Sequence, residues 1–259
     1  MTVMNFNLIQ ILAQSGERIF DKNAIEGVAA KIGISSSYIP RLLGQESKRG
    51  SLVALGKGFY SLPAELLAGG PLHSFEIAMK LSGIGAISHH SAMAYYHLTD
   101  QMIQTTYVTV PKQAGANHST IKRYTLRGQE YVLTRIHPDH YWGIQSIFIE
   151  EAKVNVTDLE RTLIDGLSHP NICGGFREVL YAFEMAEDKT SEERFLEYTK
   201  RTSLIVAKRL GWVLEQLNLH QNLQKKLLDI PVSYYQKLDP SGKRQGRHNK
   251  RWMLMENVV

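Results

Sequence analysis

Gly33-Ile34-Ser35-Ser36-Ser37-Tyr38-Ile39-Pro40-Arg41-Leu42-Leu43-Gly44-Gln45-Glu46-Ser47-Lys48-Arg49-Gly50 is the stretch on which the reading of this chain turns. Gly33 stops whatever helix precedes it, because glycine tolerates the left-handed backbone that follows a helix end. Any of Ser35, Ser36 and Ser37 can cap the next helix. Pro40 would break a helix interior, but near an N-terminus its missing N–H costs little. The pattern therefore predicts a helix starting at Ser36 or Ser37, running to about Lys48 and ended by Gly50. Tyr38, Ile39, Leu42 and Leu43 would form its apolar side.

Working outward, Asp21 can cap a helix carrying Ile25, Val28, Ala29 and Ile32 up to Gly33. Before it, Arg18-Ile19-Phe20 reads as a short extended piece. Phe6, Leu8, Ile9, Ile11 and Leu12 form an apolar helical stripe ending near Ser15-Gly16. Downstream, Ser51-Leu52-Val53-Ala54-Leu55, Gly56-Lys57-Gly58 and Phe59-Tyr60-Ser61-Leu62 read as a β-hairpin around a glycine-rich turn, closed by Pro63. Helix, short strand, helix, tight turn, helix, hairpin is the order of a winged helix-turn-helix, with its core over Lys22–Gln45 and its wing over 52–62.

In that geometry the third helix enters the major groove with its N-terminal residues toward the base edges. Ser35, Ser36, Ser37, Tyr38, Arg41 and Gln45 are the candidate reading residues. Arg41 could bond guanine at two points and Gln45 could pair with adenine. Lys48, Arg49 and the serine hydroxyls would hold phosphates, and Lys57 at the wing tip would reach a further phosphate or the minor groove. The competing reading is a helical bundle with a hairpin that binds no DNA, or a winged module that binds protein. Tyr38 fits the core as well as it fits a DNA contact.

Charge agrees with the first reading without demonstrating it. The 259 residues carry 30 Lys plus Arg against 25 Asp plus Glu, for a net charge of +5. The surplus sits at the two ends, +3 over residues 1–63 and +4 over 237–259, with −2 between them. The apolar share of 43% excludes wholesale disorder. One cysteine, Cys173, excludes an internal disulfide and a cysteine-rich zinc site, and a buried inert thiol is the expected state. No apolar run approaches a membrane span, and no basic segment leads into an apolar one at the N-terminus, so a cytoplasmic protein is expected.

Residues 64–85 read as a connection containing one helix, Phe75 to Leu81, between breaks at Gly69-Gly70-Pro71 and Gly83-Ile84-Gly85. From residue 86 to 259 a second domain of mixed α/β type follows. Ser88 can cap a helix through Tyr96, Thr105 to Val110 is β-rich, and Lys112–Lys122 is polar and reads as a loop. Gln129–Ile136 and Gly143–Val156 are further β-rich runs. Helical spacing then recurs near 158–168, 174–187, 191–201, 203–217 and 221–229, with a last short strand over Val232–Tyr235. The predicted fold class is α/β in the α+β sense, rich in C-terminal helices.

At this point the ordered pieces resemble the AbiEi-type antitoxin family, transcriptional regulators of abortive-infection toxin–antitoxin systems. Gly56-Lys57-Gly58-Phe59-Tyr60-Ser61-Leu62 is followed by the run from Ala86 through His89-His90 to His97-Leu98-Thr99. The most specific piece is Val156-Thr157-Asp158-Leu159-Glu160-Arg161-Thr162-Leu163-Ile164-Asp165, continuing to Pro170 and Cys173-Gly174-Gly175. Leu210-Gly211-Trp212-Val213-Leu214-Glu215 and Gly246-Arg247-His248-Asn249-Lys250-Arg251-Trp252 complete it. The resemblance implies a winged DNA-binding domain followed by an α/β antitoxin domain. It implies autorepression at inverted repeats in the protein's own promoter. It also implies a type IV phage-defence role against a nucleotidyltransferase-type toxin, without a stable complex. No enzyme activity, cofactor or metal is expected.

Other chemistries are weighed on their spacing. Asp139, then Glu151-Ala152-Lys153 on a strand, is the pattern of metal-dependent nucleases, where two carboxylates hold Mg²⁺ and a lysine assists water. It is equally a solvent-facing strand edge. Asp158 can cap the helix from Leu159, and Arg161 can pair with Asp165 at four-residue spacing, joining helix to sheet. His89 and His90 are adjacent, so they point about 100° apart on a helix and chelate one ion poorly; His97, His137 and His140 add no ligand set. The basic tail from Lys243 ends in Trp252-Met253-Leu254-Met255, which reads as a strand docked in the second domain rather than a free arm.

Overall fold

The computed structural model describes residues 2–113 and 120–258, with residues 2–7 described for their backbone alone. The protein has a mixed α+β fold. The chain divides into two units: the chain up to Gly83 with Arg123–Tyr131 and Ile147–Val154, and Ile84–Lys122 with Val132–Ser146 and Asn155–Val259.

The first unit opens with α1 (Thr2–Gln14), β1 (Ile19–Asp21) and α2 (Lys22–Lys31). Asp21 Oδ1 accepts the Ala24 amide at 2.7 Å, as a capping carboxylate at a helix start does. Gly33 takes φ +76° and turns the chain. The expected start of the next α-helix at Ser36 or Ser37 is corrected: Ser36–Tyr38 is a tight 3-10 turn, and α3 is Ile39–Arg49. Pro40 has no N–H to offer the Ser36 carbonyl, so the Ile39 amide bonds it instead and the turn tightens. Gly50, at φ +76°, ends α3.

A hairpin of β2 (Val53–Gly56) and β3 (Phe59–Ser61) follows, and β1 pairs with β3 to give an antiparallel sheet of order β1-β3-β2. Gly56 opposes Phe59, which leaves Lys57-Gly58 as a two-residue loop with both φ positive, 53° and 82°. Such loops match the twist of their strands. Leu8, Leu12, Phe20, Ile25, Ile39, Leu42, Leu52, Leu62 and Leu67 form the core. The stretch read as a connection is packed here. Arg18 bonds Glu76 at 2.9 Å and the carbonyls of Gly70 and Pro71 at 3.0 and 3.1 Å, fixing the approach to α4 (Ser74–Ser82).

Beyond it lie β4 (Ala86–Ile87), α5 (His89–Tyr95), β5 (Thr105–Pro111), β6 (Ile121–Leu126), β7 (Gln129–Ile136), β8 (Ile144–Ile149) and β9 (Ala152–Thr157). The strands form one sheet of order β6-β7-β5-β4-β9-β8. The expected polar loop over Lys112–Lys122 falls mostly on 114–119, outside the described residues, and its end is corrected, since Ile121 and Lys122 are already strand. The single β-rich run over Gly143–Val156 is two strands, split by a turn at Glu150, which has φ +52°.

Helices α6 (Leu159–Ser168), α7 (Phe176–Met185), α8 (Glu192–Thr199), α9 (Leu204–Gln216) and α10 (Gln221–Leu228) come next. Asp158, Ser191 and Ser203 cap α6, α8 and α9 through their side chains. The last strand expected over Val232–Tyr235 is shifted: β10 is Gln236–Lys237, beside β12 (Leu254–Glu256), with β11 (Arg247–Asn249) on the far side. The register is set by Trp252, fully buried against α9, which places Leu254 opposite Gln236. The tail is therefore docked, as its apolar residues predict. Among the described residues no helix is long and apolar enough to cross a membrane.

Candidate nucleic-acid interface

Helix α3 has two sides of opposite character. Ile39, Leu42, Leu43 and Glu46 are buried, while Ser37, Pro40, Arg41, Gly44 and Lys48 are exposed. Positions 41, 44 and 48 follow the helical repeat, so Arg41 and Lys48 share one solvent face, and Ser37 is exposed on the turn before it. Gly44 sits in the middle of that face with open space around its missing side chain. A flat, small position between two cations lets another surface approach the helix backbone closely.

The sequence-predicted residues are not equivalent. Ser35, Ser36 and Ser37 are exposed, but Ser35 makes no capping bond; its hydroxyl lies 2.8 Å from that of Ser37. Tyr38 and Gln45 are half-buried, and the Tyr38 hydroxyl donates to Gln45 Oε1 at 3.4 Å, so each is oriented by the other. Arg49 is held by the buried Glu46 carboxylate at 2.9 Å. Arg41, Lys48 and Lys57 are exposed and make no ion pair within 4 Å among the described residues. Of the cations that the sequence placed on this surface, these three make no ion pair among the described residues, whereas Arg49 does.

Lys57 stands at the hairpin tip, φ +53°. The tip is braced: a Cβ on Gly56 would fall 2.8 Å from Leu126 Cδ2. Leu126 precedes a second tight loop, Arg127-Gly128, whose φ values are 49° and 80°. Arg127, exposed, is a cation that the sequence reading missed. The signal was present: Leu126-Arg127-Gly128 between two β-rich runs has the same form as Gly56-Lys57-Gly58.

The nuclease-like pattern does not assemble as the sequence suggested. Glu151 lies in the turn before β9 rather than on a strand, and only Lys153 is on the strand. Asp139 sits on a 3-10 turn, fully exposed to solvent apart from His137 at 3.4 Å. Among the described residues no group of three His, Cys, Asp or Glu side chains is placed to hold a metal ion.

The second constellation is a buried joint. Arg161 Nε bonds Asp165 at 2.8 Å, and its Nη1 bonds the carbonyls of His140 and Trp142 at 2.9 and 3.3 Å. Its guanidinium lies 3.8 Å from the Trp142 ring centre. Asp158 caps the Arg161 amide at 2.9 Å and accepts the Tyr198 hydroxyl. Nearby, burial pushes the His89 imidazole down to about 4, against the opposing pull of Asp165. Its Nδ1 is 2.9 Å from the Ser88 hydroxyl. Cys173 is buried and its thiol is pushed well above the usual range, which leaves it protonated.

No protein-family model matches the chain, and no curated protein does. Among solved structures the chain is similar to the RV2827C protein from Mycobacterium tuberculosis, with a TM-score of 0.70 and 12% identity over 99% of this chain and 92% of that one. The fold described above, taken over nearly its whole length, is thus one that also occurs in that mycobacterial protein.

Proposed function

We propose that the protein is a double-stranded-DNA-binding transcriptional autorepressor and antitoxin whose first unit is a winged helix-turn-helix. The observation that carries the DNA half is the solvent face of α3, with Arg41, Gly44 and Lys48 in one row opposite the buried Ile39, Leu42, Leu43 and Glu46. The order α2, turn at Gly33, α3 and β2-β3 hairpin supports it, as does an exposed lysine at the hairpin tip. In this reading α3 lies in the major groove, Arg41 reads guanine, and Lys48 and Lys57 hold phosphates. Ser35, Ser36, Ser37, Tyr38 and Gln45 line the entry, and Arg49 is a weaker phosphate ligand because Glu46 holds it. Arg127 joins Lys57 at the flank. Two copies would fill the half-sites of an inverted repeat.

The antitoxin half rests on the resemblance of the 156–175 run to the AbiEi-type family. The partner is a nucleotidyltransferase-type toxin, countered without a stable complex, and the protein works in the cytoplasm with no cofactor.

A gel shift of the full-length protein on its own promoter tests the DNA half. Arg41→Ala should weaken binding by about fivefold or more and relax one base position. Lys57→Ala should weaken all sequences alike and lower the salt slope by about one. Unchanged affinity and slope in both variants would sink the contact assignment. Growth rescue on co-expression with the adjacent toxin gene tests the antitoxin half.

A further inference from the structure

A second group of cations lies far along the chain, in the docked C-terminal segment. Lys243, Arg244, Arg247 and Lys250 are exposed, and none has a carboxylate within 4 Å among the described residues. The acids nearby have other hydrogen-bond partners, and of them Glu256, opposite Arg247 on the neighbouring strand, also feels that cation's charge. Glu215 is taken by Arg251 and by the Trp252 indole, both at 2.6 Å. Glu256 Oε1 accepts from Trp212 and Asn249 at 2.9 and 2.8 Å. Asp239 accepts the Ser241 amide at 2.8 Å.

The array is held in place rather than trailing. Trp252 is fully buried, and a Cβ on Gly211 would fall 2.1 Å from its ring, so the indole fills the space that α9 leaves at that glycine. Gly246 runs against the Glu256 carbonyl, where a Cβ would lie at 2.1 Å. The Asn257 side chain donates to the carbonyls of Asp239 and Lys243 at 2.9 and 2.8 Å. A fixed set of cations loses little freedom on meeting a polyanion.

Two further features fit a particular polyanion. The Tyr235 and His248 rings pack with centres 4.4 Å apart and planes tilted by 33°, His248 is exposed, and the neighbouring Tyr234 is 65% exposed. Lys243 and Gln245 line an open cleft of about 740 Å³ with the exposed Arg177. Exposed cations with an exposed tyrosine and histidine in the same docked segment are what an unpaired strand uses: phosphates take the charges and bases take the rings.

We propose that Lys243–Arg251, with Tyr234, is a second nucleic-acid surface that takes single-stranded RNA or DNA, separate from the operator surface of α3. Duplex DNA would satisfy the cations but leave the aromatic faces unused.

The test is fluorescence anisotropy of the full-length protein with a labelled RNA of about 12 nucleotides and its DNA counterpart. The variant replaces Lys243, Arg244, Arg247 and Lys250 with alanine. All four are exposed, and the carbonyl that Asn257 holds is untouched, so the variant keeps its melting temperature. It should lose about tenfold or more in strand affinity, with the salt slope lower by about three. Its operator gel shift should stay as in wild type. Tyr234→Ala with His248→Ala should cost about fivefold or more on the strand alone. Arg41→Ala should leave strand binding intact, which keeps this proposal distinguishable from the operator reading. Tighter binding of the RNA than of the DNA assigns a role to the 2′-hydroxyl; the reverse assigns DNA. No wild-type binding to either strand at about 50 mM salt overturns the proposal. So does a quadruple variant with unchanged affinity, or one that loses the operator as severely as the strand.

Discussion

Gly211 and Trp252 show how one residue's lack of a side chain is used by another forty-one positions later. Replacing Gly211 with alanine puts a methyl group where the indole ring lies, since the Cβ would be 2.1 Å from it. Overpacking of this kind costs on the order of 2 kcal/mol or more. Urea denaturation should show Gly211→Ala destabilised, with Trp252→Phe partly restoring it. Arg161 carries a different kind of risk. Arg161→Ala would leave Asp165 buried without its cation, a loss of about 3–5 kcal/mol in the same assay.

His89 gives a pH dependence at the same scale. Its imidazole is buried and stays neutral down to about pH 4, whereas in the unfolded chain it protonates near 6.5. Between those values the unfolded chain binds a proton that the folded chain refuses, so stability falls as pH drops from 6.5 to 4. Below 4 both forms are protonated and the loss levels off; above 6.5 neither is, and the contribution is flat. The full swing is on the order of 3 kcal/mol. Urea midpoints at pH 7 and pH 4.5 should differ less in His89→Gln than in wild type. An equal difference would remove His89 from the account.

Among the elements, those written by caps and punctuating glycines were legible. Asp21, Gly33, Gly50 and Asp158 each do what their types predict, because a cap or a stop is set by residues close in sequence and needs no knowledge of the rest of the fold. Strand ends were less so. Gln236–Lys237 pairs with Met255 and its neighbour, and a pairing across some eighteen residues is fixed by where Trp252 docks, not by local composition. The tip of the first hairpin makes the same point. Its Lys57-Gly58 loop was readable, but its brace on Leu126 joins residues seventy apart. Gly58→Ala should cost about 1 kcal/mol, because φ is +82° there, and Gly58→Asn should cost less; thermal melts check the order. On α3 the row of Arg41, Gly44 and Lys48 follows from helical spacing. The Glu46–Arg49 pair that occupies one predicted phosphate ligand sits at the three-residue spacing that would have announced it.

For the molecule as a whole, the sequence placed a boundary after Pro63, where the hairpin ends. The core of the first unit continues past it. Leu67 is part of the buried cluster, and Arg18 is satisfied by the carbonyls of Gly70 and Pro71. A fragment of residues 1–63 would expose the seat of Leu67 and leave Arg18 without those acceptors. It should melt well below a fragment of residues 1–83, as circular dichroism against temperature would read out. Equal melting points would mean that the stretch after Pro63 adds nothing to this core. The charge partition of the chain also takes on a physical form: Arg41, Lys48 and Lys57 lie on a helix face and a hairpin tip, and the cations after residue 237 lie on and between the strands of a pinned three-stranded sheet.

The buried Trp252 bears on how the chain is made. Until residue 252 has left the ribosome, α9 presents Gly211 with an unfilled apolar slot beside Leu210 and Leu214. A nascent chain stalled before that point exposes the slot to chaperones and proteases, while its first unit already has the residues of α1 to α4. Translational arrest would then leave α3 with its cations on a chain that lacks the pinned sheet. The two charged surfaces differ in the moment at which they come into being.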